Sequence, residues 1–231
     1  MRSPVHVTNH HLLGVALLLA VLSPGSGPAR PADVPEVRIA RLHYDGGGDW
    51  SCDPSSLGNW LEAFSLRTGI PTAQSAAVVT LDSEDLYQYP FLYVSGHGRI
   101  ALSEADLSEL RRYLDAGGFL YADDNYGLDA SFRQTVGRLY PEEELVPIGA
   151  EHPIYHSFYD LKGLPKIHQH DGDPAQGFGI FRNGRLVLFY TWSADIGDGL
   201  EDAEVHGDPP AVREAATRMA VNILMYALTH P

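Results

Sequence analysis

Short apolar runs alternate with helix-spaced apolar positions along the first half of the chain. Four of the runs have the length and the β-branched or aromatic content that is typical of buried strands. In chain order they are Val37–Tyr44, Ala77–Leu81, Phe91–Ser95 and Phe119–Ala122. Because helical patterns separate these runs, we predict a mostly parallel sheet that helices cover on both faces.

Helices in this half carry start and stop signals. Asp53-Pro54 is a typical helix start, an N-cap residue followed by proline in the first turn, and Gly69 ends that helix. Ser103 and Asp106 have the spacing of a capping box at the start of a second helix. Strand and helix therefore follow one another in the order that a doubly wound α/β fold requires.

A hairpin and a long helix are predicted in the second half. Asn183-Gly184 lies between the strand-like runs Gly177–Arg182 and Arg185–Thr191, which is a strong signal for a two-residue hairpin. Apolar residues from Val212 to Ala227 recur at helical spacing. The predicted fold class is α/β, a three-layer αβα sandwich with a mostly parallel, doubly wound sheet and a late β-hairpin.

The first residues predict export. Leu12–Leu22 is an apolar run shorter than the about 20 residues that a spanning helix needs, and Gly27-Pro28-Ala29 supplies the small residues of a cleavage site. We expect a signal peptide at residues 1–29, a leader at 30–36 and a single α/β domain at 37–231, periplasmic or extracellular. The alternative is an uncleaved N-terminal membrane anchor. After cleavage we expect no integral membrane span.

Composition excludes several classes of protein. The formal net charge is −14, so the clustered Lys and Arg that hold a phosphate backbone are lacking, and we expect no nucleic-acid partner. The single cysteine, Cys52, supports neither an internal disulfide nor a thiolate zinc site. The chain lacks a G-x-S-x-G type nucleophile elbow, and no histidine is identified as its partner, so we interpret Cys52 as a packing residue.

Polar residues follow three of the predicted strands. Each of these loops alone fits a turn, but the carboxyl ends of parallel strands meet at the edge where such folds bind ligands. The predicted ligand-binding residues are Asp45, Asp49, Trp50, His97, Asp123, Asp124, Asn125 and Tyr126. His97 and Asp124 are also the candidate catalytic residues.

Two pairs of histidines are candidate metal ligands. They are His152 with His156 and His168 with His170, and each spacing places two imidazoles on one face of a helix or an extended segment. With nearby aspartates they suit a divalent metal, zinc or manganese, although they match no motif of fixed spacing. No other cofactor is predicted. The acidic segment Asp195–Asp202 lacks EF-hand spacing, and we interpret it as a solvated, helix-capping stretch.

Longer motifs in fixed order resemble one bacterial family. They are His43–Trp50, Tyr93–Gly98, Gly117–Asn125, His152–His156 and Pro165–Gly172. The family is domain of unknown function 4159, and the resemblance covers Val37 to about His230. It implies a flavodoxin-like sandwich similar to class I glutamine amidotransferases and trehalose-utilisation-type domains, an envelope-associated context and no established activity. The turns that correspond to the amidotransferase nucleophile contain no cysteine, so we do not expect glutamine hydrolysis.

Two functional hypotheses remain. The first is an extracytoplasmic domain that binds a small polar ligand, a saccharide or a cell-envelope fragment, with cell-envelope proteins as further partners. Aromatic residues near the polar loops, Trp50, Tyr126, Tyr155 and Trp192, would stack on sugar faces. The alternative is a metal-dependent hydrolase in which the histidines and aspartates supply ligands or a general base.

Overall fold

The computed structural model describes residues 35–168, 170 and 172–230. The predicted signal peptide and residues 30–34 of the leader lie outside the described residues. Within the described part, the strands are β1 Ile39–Leu42, β2 Ala77–Val79, β3 Phe91–His97, β4 Phe119–Tyr126, β5 Val146–Pro147, β6 Gln176–Arg182 and β7 Arg185–Trp192. The helices are α1 Ser56–Thr68, α2 Glu104–Asp115, α3 Asp129–Leu139, α4 Ile196–Leu200, α5 Ala203–His206 and α6 Pro210–Thr229.

The strands form one sheet in the order β2-β1-β3-β4-β7-β6-β5. Neighbouring strands from β2 to β7 in that order are parallel, whereas β6 is antiparallel to both β7 and β5. Asn183 and Gly184 join β6 to β7 with φ of 52° and 79°, the left-handed conformation that a tight hairpin turn requires. The predicted α/β class, the mostly parallel sheet and the late hairpin are confirmed.

The two faces of the sheet carry separate apolar cores. One core packs against α2 and α3, and the other against α1, α4 and α6. Along β4, Leu120 and Ala122 belong to the first core, while Phe119 and Tyr121 belong to the second. Since side chains alternate along a strand, Asp123 and Asn125 face α1, α4 and α6, and Asp124 faces the opposite side.

Strand β4 is longer than the sequence predicts. The polar residues from Asp123 to Asn125 were expected in a loop, and that expectation is wrong, because Asp123 pairs with Ser95 of β3 and with Thr191 of β7. Strand β3 likewise continues to His97. The polar residues from Asp123 to Asn125 are thus part of the sheet, and their side chains are buried in the layers beneath the helices.

Helix α1 begins at Ser56 rather than at the predicted Asp53-Pro54 start. Asp53 has φ of 53°, outside the helical region, and its carbonyl accepts the Ser56 amide at 3.2 Å. A distant carboxylate caps the helix instead, since Glu201 Oε1 accepts the amides of Ser55 and Ser56 at 2.9 Å each. This cap fastens the segment after α4 to the beginning of α1.

In the part of the chain described here, none of the helices combines the length and the apolar character that crossing a membrane requires.

Candidate metal centre

Four aspartates converge beneath the carboxyl ends of β3, β4 and β7. All four are buried, with at most 7% of each residue exposed. They are Asp53, Asp123, Asp195 and Asp198. Because buried carboxylates in ordinary proteins are paired with cations or hydrogen-bond donors, this concentration of negative charge requires an explanation.

Arg41 of β1 holds the loop that carries Asp53. Its guanidinium is buried and donates to the carbonyl of Cys52 at 2.6 Å and to that of Asp53 at 2.9 Å. Further donations reach Trp50 O, Ser95 Oγ and Ser56 Oγ. Arg41 therefore binds this loop through its backbone and leaves the Asp53 carboxylate directed elsewhere.

The Asp53 carboxylate lies beside β4. Asn125 Nδ2 donates to Asp53 Oδ2 at 2.9 Å and to Asp198 Oδ1 at 3.0 Å, so one amide group joins two acidic residues. Asp123, on the same face of β4, accepts the Gly197 amide at 2.7 Å. A Cβ atom at Gly197 would lie 2.6 Å from Asp53 Oδ2, so only glycine permits this approach.

The segment around α4 is buried, which corrects the interpretation of Asp195–Asp202 as solvated. Asp195, Asp198 and Glu201 are at most 5% exposed, because α4 packs against the core that contains α1 and α6. Asp195 also has φ of 57°, a left-handed backbone that is uncommon outside glycine. Its side chain is placed in the cluster by this turn.

Histidines complete the cluster. His168 Nδ1 lies 2.6 Å from Asp198 Oδ2, and His170 Nε2 lies 3.0 Å from Asp195 Oδ2. The other ring nitrogen of His168, Nε2, lies 3.0 Å from Asp208 Oδ2. A carboxylate behind a histidine is the usual outer partner of a metal ligand, where it fixes the tautomer and the ring orientation.

The pKa values of three of the clustered aspartates are raised because the carboxyl groups are buried close to one another. Burial, followed by the charges of neighbouring aspartates, raises the pKa of Asp195 to about 10 and that of Asp198 to about 9. Burial also raises the pKa of Asp123 to about 7, although Thr191 and the Gly197 amide oppose the shift. Without a cation, the cluster must therefore retain protons at neutral pH.

Two buried oxygen atoms in the cluster have no hydrogen-bond partner among the described residues. They are Oδ1 of Asp195 and Oδ1 of Asn125, in residues that are each 1% exposed. An unpartnered buried polar atom in a folded protein costs about 1–3 kcal/mol, and it often marks an ion or water that belongs there. These two atoms are free to act as ligands.

The donor set fits a metal ion. One ligand atom each from His168, His170, Asp195 and Asp198 lies within 4.8 Å of the others. Two nitrogens and two oxygens suit zinc or manganese, and a metal that takes more than four ligands, such as octahedral manganese, would keep a position for water. The cluster could hold a metal ion, and His168 and His170, predicted as ligands from the sequence, lie in it.

A cavity of about 290 Å³ adjoins the cluster. Asp124, Asn125, Tyr126, His170, Trp192 and Ser193 are among the residues that line it. The rings of Tyr126 and His170 lie 5.3 Å apart, centroid to centroid, and His170 both lines the cavity and pairs with Asp195. A ligand in this cavity would therefore lie beside a metal donor, against a wall that includes the aromatic side chains of Tyr126 and Trp192.

The structure distributes the predicted ligand-binding residues over more than one place. Asp124, Asn125 and Tyr126 line the 290 Å³ cavity, whereas Asp45 lines a separate cavity of about 220 Å³. Asp49 Oδ2 and His97 Nδ1 lie 4.0 Å apart, and both side chains are at least half exposed. The remaining two are Trp50, whose ring contacts that of His43 at a tilt of 33°, and Asp123, which lies in the carboxylate cluster.

The predicted metal ligands separate in the same way. His152 caps a 3-10 turn by accepting the Ile154 amide, and burial lowers its pKa. His156 Nδ1 lies 2.6 Å from Asp160, and its other nitrogen lies 2.8 Å from the Ala150 carbonyl. In the part of the chain that the structure describes, neither joins a group of three ligand atoms within 4.8 Å.

Sequence reasoning missed several members of the cluster. They are Asp53, Asp195, Asp198, His206 and Asp208. One signal was available in the segment Ile196–Leu200, where Asp198 lies between two glycines that apolar residues flank. Small and apolar neighbours are typical of a buried, closely packed segment, so they indicated that Asp198 is buried. No comparable sequence pattern indicates the left-handed backbone of Asp195 or the non-helical backbone of Asp53.

The fold and this cluster define an α/β sandwich with a polar centre at the carboxyl ends of its strands. Residues 38–228 match the family described as Domain of unknown function (DUF4159), and the chain belongs to that family. No curated protein matches the chain.

Proposed function

We propose that this domain is a divalent-metal-dependent hydrolase acting on a small polar ligand in the adjacent cavity. The observation that carries the proposal is the convergence of His168, His170, Asp195 and Asp198, with Asp195 Oδ1 buried and unpartnered among the described residues. Zinc or manganese would neutralise the carboxylates and satisfy that oxygen. A metal beside an open cavity can lower the pKa of a bound water to about 7, which makes hydrolysis the fitting class of reaction.

The cavity supports a neutral, hydroxyl-rich ligand. Asp124 and Asn125 offer polar side chains, and the rings of Tyr126 and Trp192 supply the apolar surface on which sugar faces stack. Near this wall, among the described residues, Arg133 is paired with Asp129 at 2.6 Å and packs on the Tyr190 and Phe178 rings, and Lys166 donates to Ser193 Oγ at 2.8 Å. The aromatic rings and the polar side chains of the cavity support a saccharide or a cell-envelope fragment as the ligand, consistent with the proposed export of the chain.

Metal analysis of the purified protein tests the proposal. After exposure to Zn²⁺ or Mn²⁺ and removal of excess metal, wild-type protein is expected to retain stoichiometric metal, and His170→Ala to lose a bound equivalent. His156→Ala is the matched control, because this histidine pairs with Asp160 outside the cluster. Wild-type protein that retains no more metal than a metal-free blank would contradict the proposal.

The ligand is tested separately. Neutral oligosaccharides and muropeptides, screened by calorimetry and for bond cleavage, are expected to bind and react only in metal-loaded protein. Trp192→Ala should weaken binding while leaving metal content unchanged, since Trp192 lines the cavity but is not one of the metal donors. Binding that persists without metal and without cleavage would favour a binding domain over an enzyme.

A further inference from the structure

A second group of donor atoms overlaps the first. Asp53, Asp198 and His206 each offer one ligand atom within 4.8 Å of the other two. Asp198 thus belongs to both groups, and its two carboxylate oxygens face different partners. Oδ2 lies 2.6 Å from His168 Nδ1, whereas Oδ1 lies 3.8 Å from His206 Nε2.

We propose that the centre is dinuclear, with Asp198 bridging one divalent cation held by His168, His170 and Asp195 and a second held by Asp53 and His206. This inference rests on the proposed function and specifies its site. Two metals joined by a carboxylate bridge form a clamp that hydrolytic enzymes use to hold an attacking water and a leaving group.

Asn125 supplies an independent indication of the second cation. Its Oδ1 is buried and unpartnered within the described residues, while its Nδ2 lies between Asp53 Oδ2 and Asp198 Oδ1. The nitrogen and oxygen of an amide occupy nearly the same space, so a rotation of the amide exchanges them. With a cation between Asp53 and Asp198, the turned amide would present its oxygen as a further ligand.

The charge around Asp53 and Asp198 points the same way. Among the described residues, the groups in hydrogen-bond contact with these carboxylates are the Cys52 thiol, the Asn125 amide, the His168 ring and, since Asp53 and Asp198 bond to one another, the other carboxyl group. None of them carries a permanent positive charge. The nearby guanidinium of Arg41 is occupied by backbone carbonyls of the Asp53 loop. A divalent cation would supply the missing positive charge.

The second site also has a route to solvent. The His206 side chain is 31% exposed, whereas those of Asp198 and His168 are 5% and 19% exposed. Helix α5, which carries His206, contains no buried residue. A cation can therefore reach this site from the α5 side, independently of the cavity beside His170.

Metal stoichiometry and spin coupling test the proposal on the full-length protein. Wild-type protein loaded with Mn²⁺ is expected to bind two equivalents and to show the electron paramagnetic resonance spectrum of an exchange-coupled pair. His206→Ala should bind one equivalent with an uncoupled spectrum, and Asp53→Asn should do the same. Because Asp53 lies in a tightly bonded loop, His206→Ala on the exposed helix is the decisive variant, and circular dichroism checks its fold.

The outcomes separate the two proposals. One equivalent in wild-type protein, lost in His170→Ala and retained in His206→Ala, would overturn the dinuclear centre and leave the proposed function intact. Two equivalents retained in His206→Ala would also overturn it. The absence of bound metal from wild-type protein would overturn both. Loss of about half of the metal in His206→Ala, with His156→Ala at the wild-type level, supports the pair.

Discussion

Replacing Arg41 by methionine measures what one buried guanidinium contributes to the fold. The methionine side chain keeps most of the apolar stem but removes every donor. The carbonyls of Cys52 and Asp53, which accept from Arg41 at 2.6 and 2.9 Å, would then lose a donor in a buried environment.

The expected loss of stability follows from those two acceptors. Each buried polar group left unsatisfied costs about 1–3 kcal/mol, which applies to the Cys52 carbonyl. The Asp53 carbonyl still accepts the amide and the hydroxyl of Ser56, so losing Arg41 there costs about 1 kcal/mol, and the two carbonyls together cost about 3 kcal/mol. For a domain of this size, each kcal/mol lowers the melting temperature by about 2–4 °C, so we expect Arg41→Met to melt about 6–12 °C below wild type. Urea unfolding followed by circular dichroism gives the free energy directly.

Arg112→Met is the matched control. Arg112 is paired with Glu109 one turn away on the surface of α2, and its side chain is 67% exposed, so its loss should cost about 0.5 kcal/mol. A change of less than about 1 kcal/mol in Arg41→Met would refute the reasoning. It would mean that water replaces the guanidinium at the loop without penalty.

Three further predictions concern the same region. Because burial raises the pKa of Asp195 to about 10 and of Asp123 to about 7, the folded, metal-free protein retains protons that the unfolded chain releases. As the pH rises from about 5 to 7, its free energy of unfolding should therefore fall by about 1.4 kcal/mol per pH unit for each proton retained. Saturating Zn²⁺ should remove this dependence on pH. A free energy of unfolding that rises with pH would contradict the prediction. Gly96→Ala should lower the melting temperature of the protein strongly, because φ is 153° and the new Cβ would lie 2.7 Å from the Asp49 carbonyl oxygen. Gly58→Ala in α1 is the control: its new Cβ meets nothing within 4 Å, so it should stabilise the fold by about 0.5–1 kcal/mol. Iodoacetamide should alkylate native Cys52 far more slowly than the unfolded chain, since burial raises its thiol pKa; equal rates would reopen a catalytic role.

Most of the architecture follows from local sequence signals. The capping box at Ser103 and the turn at Asn183-Gly184 are where spacing and turn chemistry predict them, because both depend on residues a few positions apart. The boundary of α1 was not predictable in the same way. Aspartate is a residue type that favours the N-cap, but Arg41 and Asn125 hold Asp53 in another conformation.

The candidate site was predicted only in part for a related reason. His168 and His170 are close in sequence, so their spacing marks them as a pair. Asp53 and Asp198 meet only after the sheet has formed, and no local pattern joins them. The acidic segment was interpreted as solvated because charged loops usually are, whereas here the packing of α4 buries it.

The cluster also has a consequence for the unfolded chain. Its donors come from separate segments, from Asp53 near the beginning of the domain to His206 shortly before the last helix. A chain with a single cysteine has no internal disulfide, so metal ions held between these segments would be its cross-links, closing long loops in the way that disulfides do in small secreted domains. Withdrawal of the metal should then accelerate unfolding and proteolysis of the whole domain, even while the ligand cavity is vacant.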